Sequence, residues 1–210
     1  MLRLILMAVV AYLVGSIPFG FMIGRARGVD LRTTGSGNIG STNIYRALGL
    51  KVALVVFALD AGKGIVGTRL VAMLGDGTLD AASLRFIAAL AVILGSMASV
   101  FMRFRGGKGV ATGAGVFLAL EPVATVIAIA LWAGLVAAFK IVSIGSLAAA
   151  AALPLLVAVL SSMGSFRNPV FYLALVVGGL IFASHRSNIG RLLQGREKRV
   201  GRQRSAEEQR

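Results

Sequence analysis

Residues 105–140 read RGGKGVATGAGVFLALEPVATVIAIALWAGLVAAFK. Between Lys108 and Lys140 the one charge is Glu121, and Pro122 follows it. A proline disfavours helical backbone in the residue before it, and a carboxylate in the middle of a bilayer is costly. The stretch therefore reads as two helices, 110–120 and 122–139, meeting at a turn. The first spans only about 17 Å at 1.5 Å per residue, against a hydrocarbon core of roughly 30 Å. It is a short span or a re-entrant half-helix.

The rest of the chain has the same character. Its 210 residues are 57% hydrophobic and only 14% charged. Uncharged runs also cover 4–24, 86–102, 141–166 and 168–184. Several reach or approach the roughly 20 residues that a span needs. They are continuous and rich in Leu, Ala and Val, which favours helices over a barrel of alternating strands. The first run is longer than a signal-peptide core of about 7–15 residues and is read as a retained span. The expected fold is an all-α polytopic membrane protein with no separate soluble domain. The 27 glycines and the alanine run 148–152 suit close helix packing.

Charge sets the topology. The net charge of +14 arises from clusters that the positive-inside rule places in the cytoplasm. Arg25, Arg27, Arg32, Arg46 and Lys51 face one acid, Asp30, and Arg103, Arg105 and Lys108 face none. From Arg186 onward there are eight basic residues against Glu197, Glu207 and Glu208. The loop at 75–85, with Asp76 and Asp80, is acidic by comparison and belongs outside, as does Arg167. An even number of crossings must then separate Gly109 from Ser184, and the turn at Glu121-Pro122 supplies the extra one. The expectation is seven helices, with the N-terminus outside and the C-terminus cytoplasmic. Residues 1–197 form one transmembrane domain, and 198–210 form a basic, disordered cytoplasmic tail. Anionic lipid or an anionic substrate accounts for these clusters better than nucleic acid does. Cysteine is absent and His185 is the single histidine. That leaves no thiolate nucleophile and argues against a metal site; no cofactor is expected.

Three polar motifs fall on the predicted cytoplasmic side. The first is Gly35-Ser36-Gly37-Asn38-Ile39-Gly40-Ser41-Thr42-Asn43, followed by Arg46. Glycines let backbone amides converge on an anion, hydroxyl and amide side chains add donors, and an arginine fork suits phosphate. Ser36, Gly37, Asn38, Thr42, Asn43 and Arg46 are the candidate contacts. The second motif, Arg105-Gly106-Gly107-Lys108-Gly109, opens a helix whose N-terminus is a natural anion site. Gly106, Gly107 and Lys108 are its candidates. The third runs from His185 through Asn188 and Arg191 to Glu197. Positions 185, 188 and 192 share one face if the last span continues past the membrane. Ser143 sits near the same mouth, and Asp60 and Lys63 are spaced to pair within the second helix.

In this order, with Gly15-Ser16-Ile17-Pro18-Phe19-Gly20 and GVDLR at 28–32, GSGNIGSTN at 35–43, GGKGVATG at 106–113 and HRSNIGRLL at 185–193, the motifs resemble the bacterial acyl-phosphate:glycerol-3-phosphate acyltransferase family. The resemblance implies seven transmembrane helices in the bacterial inner membrane and a cytoplasmic active site. It also implies transfer of a fatty acyl group from acyl phosphate to the 1-hydroxyl of glycerol 3-phosphate, the first acylation of phospholipid synthesis. Neither acyl-CoA nor acyl carrier protein would be the donor; a peripheral acyl carrier protein:phosphate acyltransferase would supply acyl phosphate. Lys108, His185 and Asn188 are the expected catalytic residues. The H-x-x-x-x-D box of other glycerolipid acyltransferases is missing, since Ile189 stands four after His185. His185 is therefore expected to position groups, with the donor's phosphate taking the proton. Two departures stand out: Ser96 and Ser99 replace the His and Pro of a GHxxP pattern, and Lys140-Ile141 replaces Arg-Tyr. The competing class is a non-catalytic transporter or binder of phosphorylated lipid precursors.

Overall fold

The computed structural model describes residues 2–73, 81–160 and 168–201. Among these, all regular structure is helical: α1 Leu2–Ser16, α2 Phe19–Ala26, α3 Ser41–Leu48, α4 Leu50–Met73, α5 Ala81–Met97, α6 Val110–Leu120, α7 Pro122–Phe139, α8 Val142–Leu160, α9 Pro169–Ser184 and α10 Arg186–Leu193, with a single 3-10 turn at Val100–Met102. Four segments are long and apolar enough to cross a membrane, namely Leu4–Ala26, Leu84–Met102, α7 and α8, and α9 with α10 makes a fifth if that bent pair counts as one. Side chains such as Leu155 and Val159, 67% and 81% exposed, turn outward as hydrocarbon-facing residues do. Asp76 and Arg167, expected outside, lie outside the described residues.

The turn at Glu121-Pro122 forms where the proline reading puts it. Glu121 ends α6 in non-helical backbone, and Pro122 opens α7 at a position that needs no N–H. The buried Asn168 amide donates to the Glu121 carboxylate at 2.8 Å and its carbonyl oxygen caps α9 by accepting from the Val170 amide. Three helix ends are thereby tied together.

Three readings change. The first span is not one helix: it breaks at Ile17-Pro18 between α1 and α2, because proline cannot donate to the preceding turn. The segment 41–48, read only as part of a polar, basic cytoplasmic stretch, is helix α3. Ile44, fully buried, packs it against Leu31, Ala53 and Val56, and Gly49 at φ +84° stops it. The last span does not continue straight past His185 but bends by 61° into α10.

Glycine sets the helix spacing. A methyl on Gly15 would overlap the Val92 carbonyl, and one on Gly95 the Tyr12 carbonyl, so α1 and α5 cross backbone to backbone. Gly64 and Gly115 do the same for α4 and α6 against the Thr112 and Ala61 carbonyls. This is the small-residue packing of membrane helices, where dispersion replaces the hydrophobic effect. Phe117, Leu173, Ile93 and Val177 fill the space between α5, α6 and α9. The crossings also explain why α6 is short. Gly107, just ahead of it, lines the same cavity as Asp60 and Lys63, which lie roughly 15–20 Å along α4 at 1.5 Å per residue. The loop before α6 thus dips well below the start of α4 and carries Lys108 with it.

Candidate active site

The first motif is a loop built around one asparagine. Asn43, 1% exposed at the start of α3, accepts from the Ser36 amide at 3.0 Å and donates to the Thr34 and Leu31 carbonyls at 2.9 and 3.3 Å. Gly35 and Gly37 hold positive φ, +67° and +72°, and a methyl on Gly35 would overlap Asn43 Oδ1. Only glycine suits that position. Ahead of the loop, Asp30 accepts from the Arg32 amide and guanidinium at 2.7–3.0 Å, and those hydrogen bonds bring its carboxyl down to about 2. Asn38 Oδ1 accepts from the Gly40 amide at 2.9 Å, turning the chain into α3. Ser36 and Gly37 remain exposed on the loop, with Thr42 and Arg46 half-buried on α3. Asn43 corrects an expectation: both its amide hydrogens serve the loop, so it shapes the phosphate candidate without facing a ligand.

The second motif is tied to the end of α5. The Gly106 amide donates to the Met97 carbonyl at 3.1 Å and the Gly107 amide to the Ser96 carbonyl at 2.9 Å. Each closes a C-terminal carbonyl that α5 leaves open, and a side chain on Gly106 would strike both carbonyls. Gly106 and Gly107 were expected to offer amides to phosphate; those amides are already engaged. The glycines instead let the chain pass close enough to α5 to aim Lys108. Gly109, at φ +77°, starts α6 behind it.

The third motif meets the second through one amide. Lys108 Nζ donates to Asn188 Oδ1, and Asn188 Nδ2 donates to Glu197 Oε1 at 2.5 Å. Glu197 also accepts from Ser143 Oγ at 3.1 Å, and from Arg191 Nε on Oε2 at 2.6 Å. Its side chain is only 4% exposed. Burial pushes the carboxyl up, but the hydrogen bonds from Asn188, Arg191 and Ser143 outweigh that and hold it below the usual range. Gly195, at φ +67°, reverses the chain after α10 and folds Glu197 back beneath that helix. Beyond it, Lys198 Nζ donates to the Gly35 carbonyl at 3.3 Å, and the Val200 amide to the Lys140 carbonyl at 2.6 Å.

Around this carboxylate stand Arg46, Lys108 and Arg191, each within the field of Glu197 or of one another. Burial pushes the Lys108 ammonium down to about 8; Glu197 opposes the shift, and Arg191 and Arg46 reinforce it. Burial likewise lowers Arg46. His185, 3% exposed, is pushed down to about 4 by burial and by the charge of Lys108. Its Nδ1 lies 2.8 Å from the Ile181 carbonyl, an acceptor only. The proton therefore sits on Nδ1, and Nε2 keeps its lone pair. The sequence offered no carboxylate to orient this ring; a backbone carbonyl one turn earlier does so.

Of the expected site residues, Lys108, Asn188 and Ser143 converge on Glu197, with Arg46 and His185 inside the same field. Ser143 enters as a partner of the carboxylate. Glu197 and Arg191 were not among the expected site residues. The available signal was the first acid after Arg186, flanked by Arg196 and Lys198 and two residues past Gly195.

The glycerol-3-phosphate acyltransferase family model matches residues 5–195. Glycerol-3-phosphate acyltransferases of Geobacter sulfurreducens and Aquifex aeolicus are 43% and 41% identical to the chain, covering 95% and 94% of it and 98% and 100% of the relatives. Among solved structures, PlsY (YgiH), an integral membrane glycerol 3-phosphate acyltransferase, superposes in its glycerol 3-phosphate form with a TM-score of 0.85 at 40% identity. That match covers 94% of this chain and 96% of the other. The lysophosphatidic acid form gives a TM-score of 0.82 over 94% and 95% of the two chains. The matches run over most of the sequence, and the chain belongs to the glycerol-3-phosphate acyltransferase family.

Proposed function

We propose that this protein transfers a fatty acyl group from acyl phosphate to the 1-hydroxyl of glycerol 3-phosphate, releasing 1-acyl-glycerol 3-phosphate and inorganic phosphate. The observation that carries the reading is the charge balance. Arg46, Lys108 and Arg191 surround one carboxylate, Glu197, so two positive charges stay uncompensated, matching a phosphate monoester of about −2. The exposed Ser36–Gly37 turn, on the loop that leads into α3, adds a second place for a phosphate, and apolar helix faces accommodate the acyl chain. In the transfer, the 1-hydroxyl oxygen bonds to the acyl carbon and the carbon–oxygen bond to phosphate breaks. The hydroxyl proton leaves on the released phosphate. Lys108 stabilises the negative charge that develops, an electrostatic role suited to a recessed site. His185 Nε2 accepts from the attacking hydroxyl and orients it.

The site's cations and the positive-inside rule favour a cytoplasmic site within seven spans of a bacterial inner membrane, α4 and α6 being crossings. A peripheral acyl carrier protein:phosphate acyltransferase is the natural source of donor. In intact cells a single cysteine at position 108 resists an impermeant thiol reagent until the membrane is opened; labelling from outside would contradict this orientation.

Purified protein given glycerol 3-phosphate with acyl phosphate, acyl-CoA or acyl carrier protein thioester side by side tests the activity itself. Product forms from acyl phosphate alone, and Lys108→Ala lowers kcat/KM by at least ~10-fold, about 1.4 kcal/mol. Binding of both substrates without product would make the chain a carrier of lipid precursors instead.

The shifted groups fix the pH dependence. Lys108 is charged below about 8 and neutral above it, so kcat/KM falls as pH rises through that value. His185 is neutral at every pH above about 4 and adds no limb between pH 5 and 8. An acid limb in that range belongs to substrate phosphate, whose second ionisation is near 6, and persists unchanged in His185→Asn. Loss of that limb in His185→Asn, together with nearly all activity, would identify His185 as the general base.

A further inference from the structure

Asp60 and Lys63 lie in the middle of α4 and take no part in the transfer chemistry. Lys63 Nζ is 2.7 Å from Asp60 Oδ1, with side chains 5% and 14% exposed. The same Nζ donates to the Ile17 carbonyl at 2.9 Å and lies 5.9 Å from the centre of the Phe19 ring. As a source of stability a buried pair counts for little, because desolvation offsets most of its attraction. Its placement is more informative. Ile17 is where the first span breaks ahead of Pro18, and Lys63 grips that break from α4.

The other side of the break is held as well. Ser99 Oγ donates to the Ser16 carbonyl at 2.6 Å, and Tyr12 donates to the Ala98 carbonyl at 2.5 Å. Both glycine-rich loops close on the same point. A cavity of about 20 Å³ is bounded by Ser16, Asp60, Lys63, Ser96, Gly40 and Gly107. Its size suits a single water, and the buried Ser16 hydroxyl has no hydrogen-bond partner among the described residues. Gly40 is the cap of α3, which carries Arg46, and Gly107 immediately precedes Lys108. A methyl on Gly20, just past the break, would overlap the Ile39 carbonyl, so α2 lies directly against the first motif.

We propose that Lys63, neutralised by Asp60, is a positioning residue for acyl transfer: by holding the Ile17 carbonyl it fixes the broken span on which Gly40 and Gly107 rest, and thereby the placement of Arg46 and Lys108. This rests on the acyl-transfer reading of the site. A misplacement of about 1 Å far from the chemistry can cost ~100-fold in rate, so loosening the break acts on turnover more than on substrate binding.

The paired variant Asp60→Asn/Lys63→Met tests it, since it removes both charges and the grip without leaving an ion unpaired in the membrane. Steady-state kinetics are measured on helical, monodisperse protein with acyl phosphate and glycerol 3-phosphate. With kcat referred to the concentration of folded protein in the monodisperse peak, because inactive protein alone lowers apparent kcat at unchanged KM, the expected result is kcat at least ~10-fold lower with KM for glycerol 3-phosphate within ~3-fold of wild type. Unchanged kcat, or a rise confined to KM, overturns the proposal. Should the paired variant fail to fold, Ser99→Ala decides: it releases the same break from the α5 side and lowers kcat by about 3-fold at unchanged KM. Wild-type kcat in Ser99→Ala then overturns the proposal. Wild-type protein that forms no product from acyl phosphate overturns the acyl-transfer reading first, and this inference with it.

Discussion

A carboxylate taken out of water needs cations and hydrogen-bond donors around it, or it protonates. Glu197 meets that requirement with Asn188, Arg191 and Ser143 on its oxygens and Lys108 one amide away. Those four residues come from three parts of the chain: α10, the N-terminus of α8, and the loop before α6. The carboxylate is therefore the point where the last polar segment, the second glycine motif and the α7–α8 turn are held in register. Its members share one carboxylate and are thereby committed to one arrangement. The same carboxylate keeps three cations together while cancelling only one of their charges. The cluster therefore keeps a net positive charge, as the proposed binding of a phosphate requires.

The lipid-facing scaffold matters because it sets depth. Backbone contacts at Gly15, Gly95, Gly64 and Gly115 bring α1 to α5 and α4 to α6 with no side chain between them. With the helices that close, the loop from Arg105 to Gly109 descends beside the middle of α4, and α6 needs only 11 residues. Depth in turn lowers the Lys108 and His185 pKa values, both of which burial shifts most. A lysine at about 8 is charged at neutral pH yet weakly solvated. A histidine at about 4 is a neutral acceptor at any physiological pH. One geometric fact, close helix approach through glycine, thus reaches the chemistry through desolvation.

Much of this was legible in the residues. Uninterrupted apolar runs gave the helices, and the dipeptide Glu121-Pro122 located the α6–α7 turn, because hydropathy and proline sterics act locally. The three motifs were found for a similar reason: glycine, hydroxyl and basic residues are rare company in a membrane chain. Contacts between distant segments escaped. Nothing near Glu197 in sequence says that its oxygens meet Ser143 and Asn188, since that depends on the reversal at Gly195 and the bend at His185. The engaged amides of Gly106 and Gly107 and the internal role of Asn43 were missed likewise, because a donor's availability depends on what packs against it. Helix α3 was lost to the glycine and serine composition in front of it, although Ile44 and Leu48 share a face at helical spacing. Ser96 and Ser99, departures from the family's GHxxP pattern, prove to be hydrogen-bonding members of the packing, with Thr112 and Ser16 as their partners.

Glu197 acts as an ionised carboxylate that sustains the charge of Lys108. Glu197→Gln keeps the shape and an acceptor oxygen while removing the negative charge that raises the Lys108 pKa. The direct measurement is the midpoint of the alkaline limb of kcat/KM in wild type and in Glu197→Gln, on protein matched for helical content. The expected midpoint is lower in the variant by at least ~0.5 pH unit, equivalent to about 0.7 kcal/mol, as Lys108 loses its proton more readily. A midpoint that stays in place or moves upward would show that Lys108 does not feel this carboxylate.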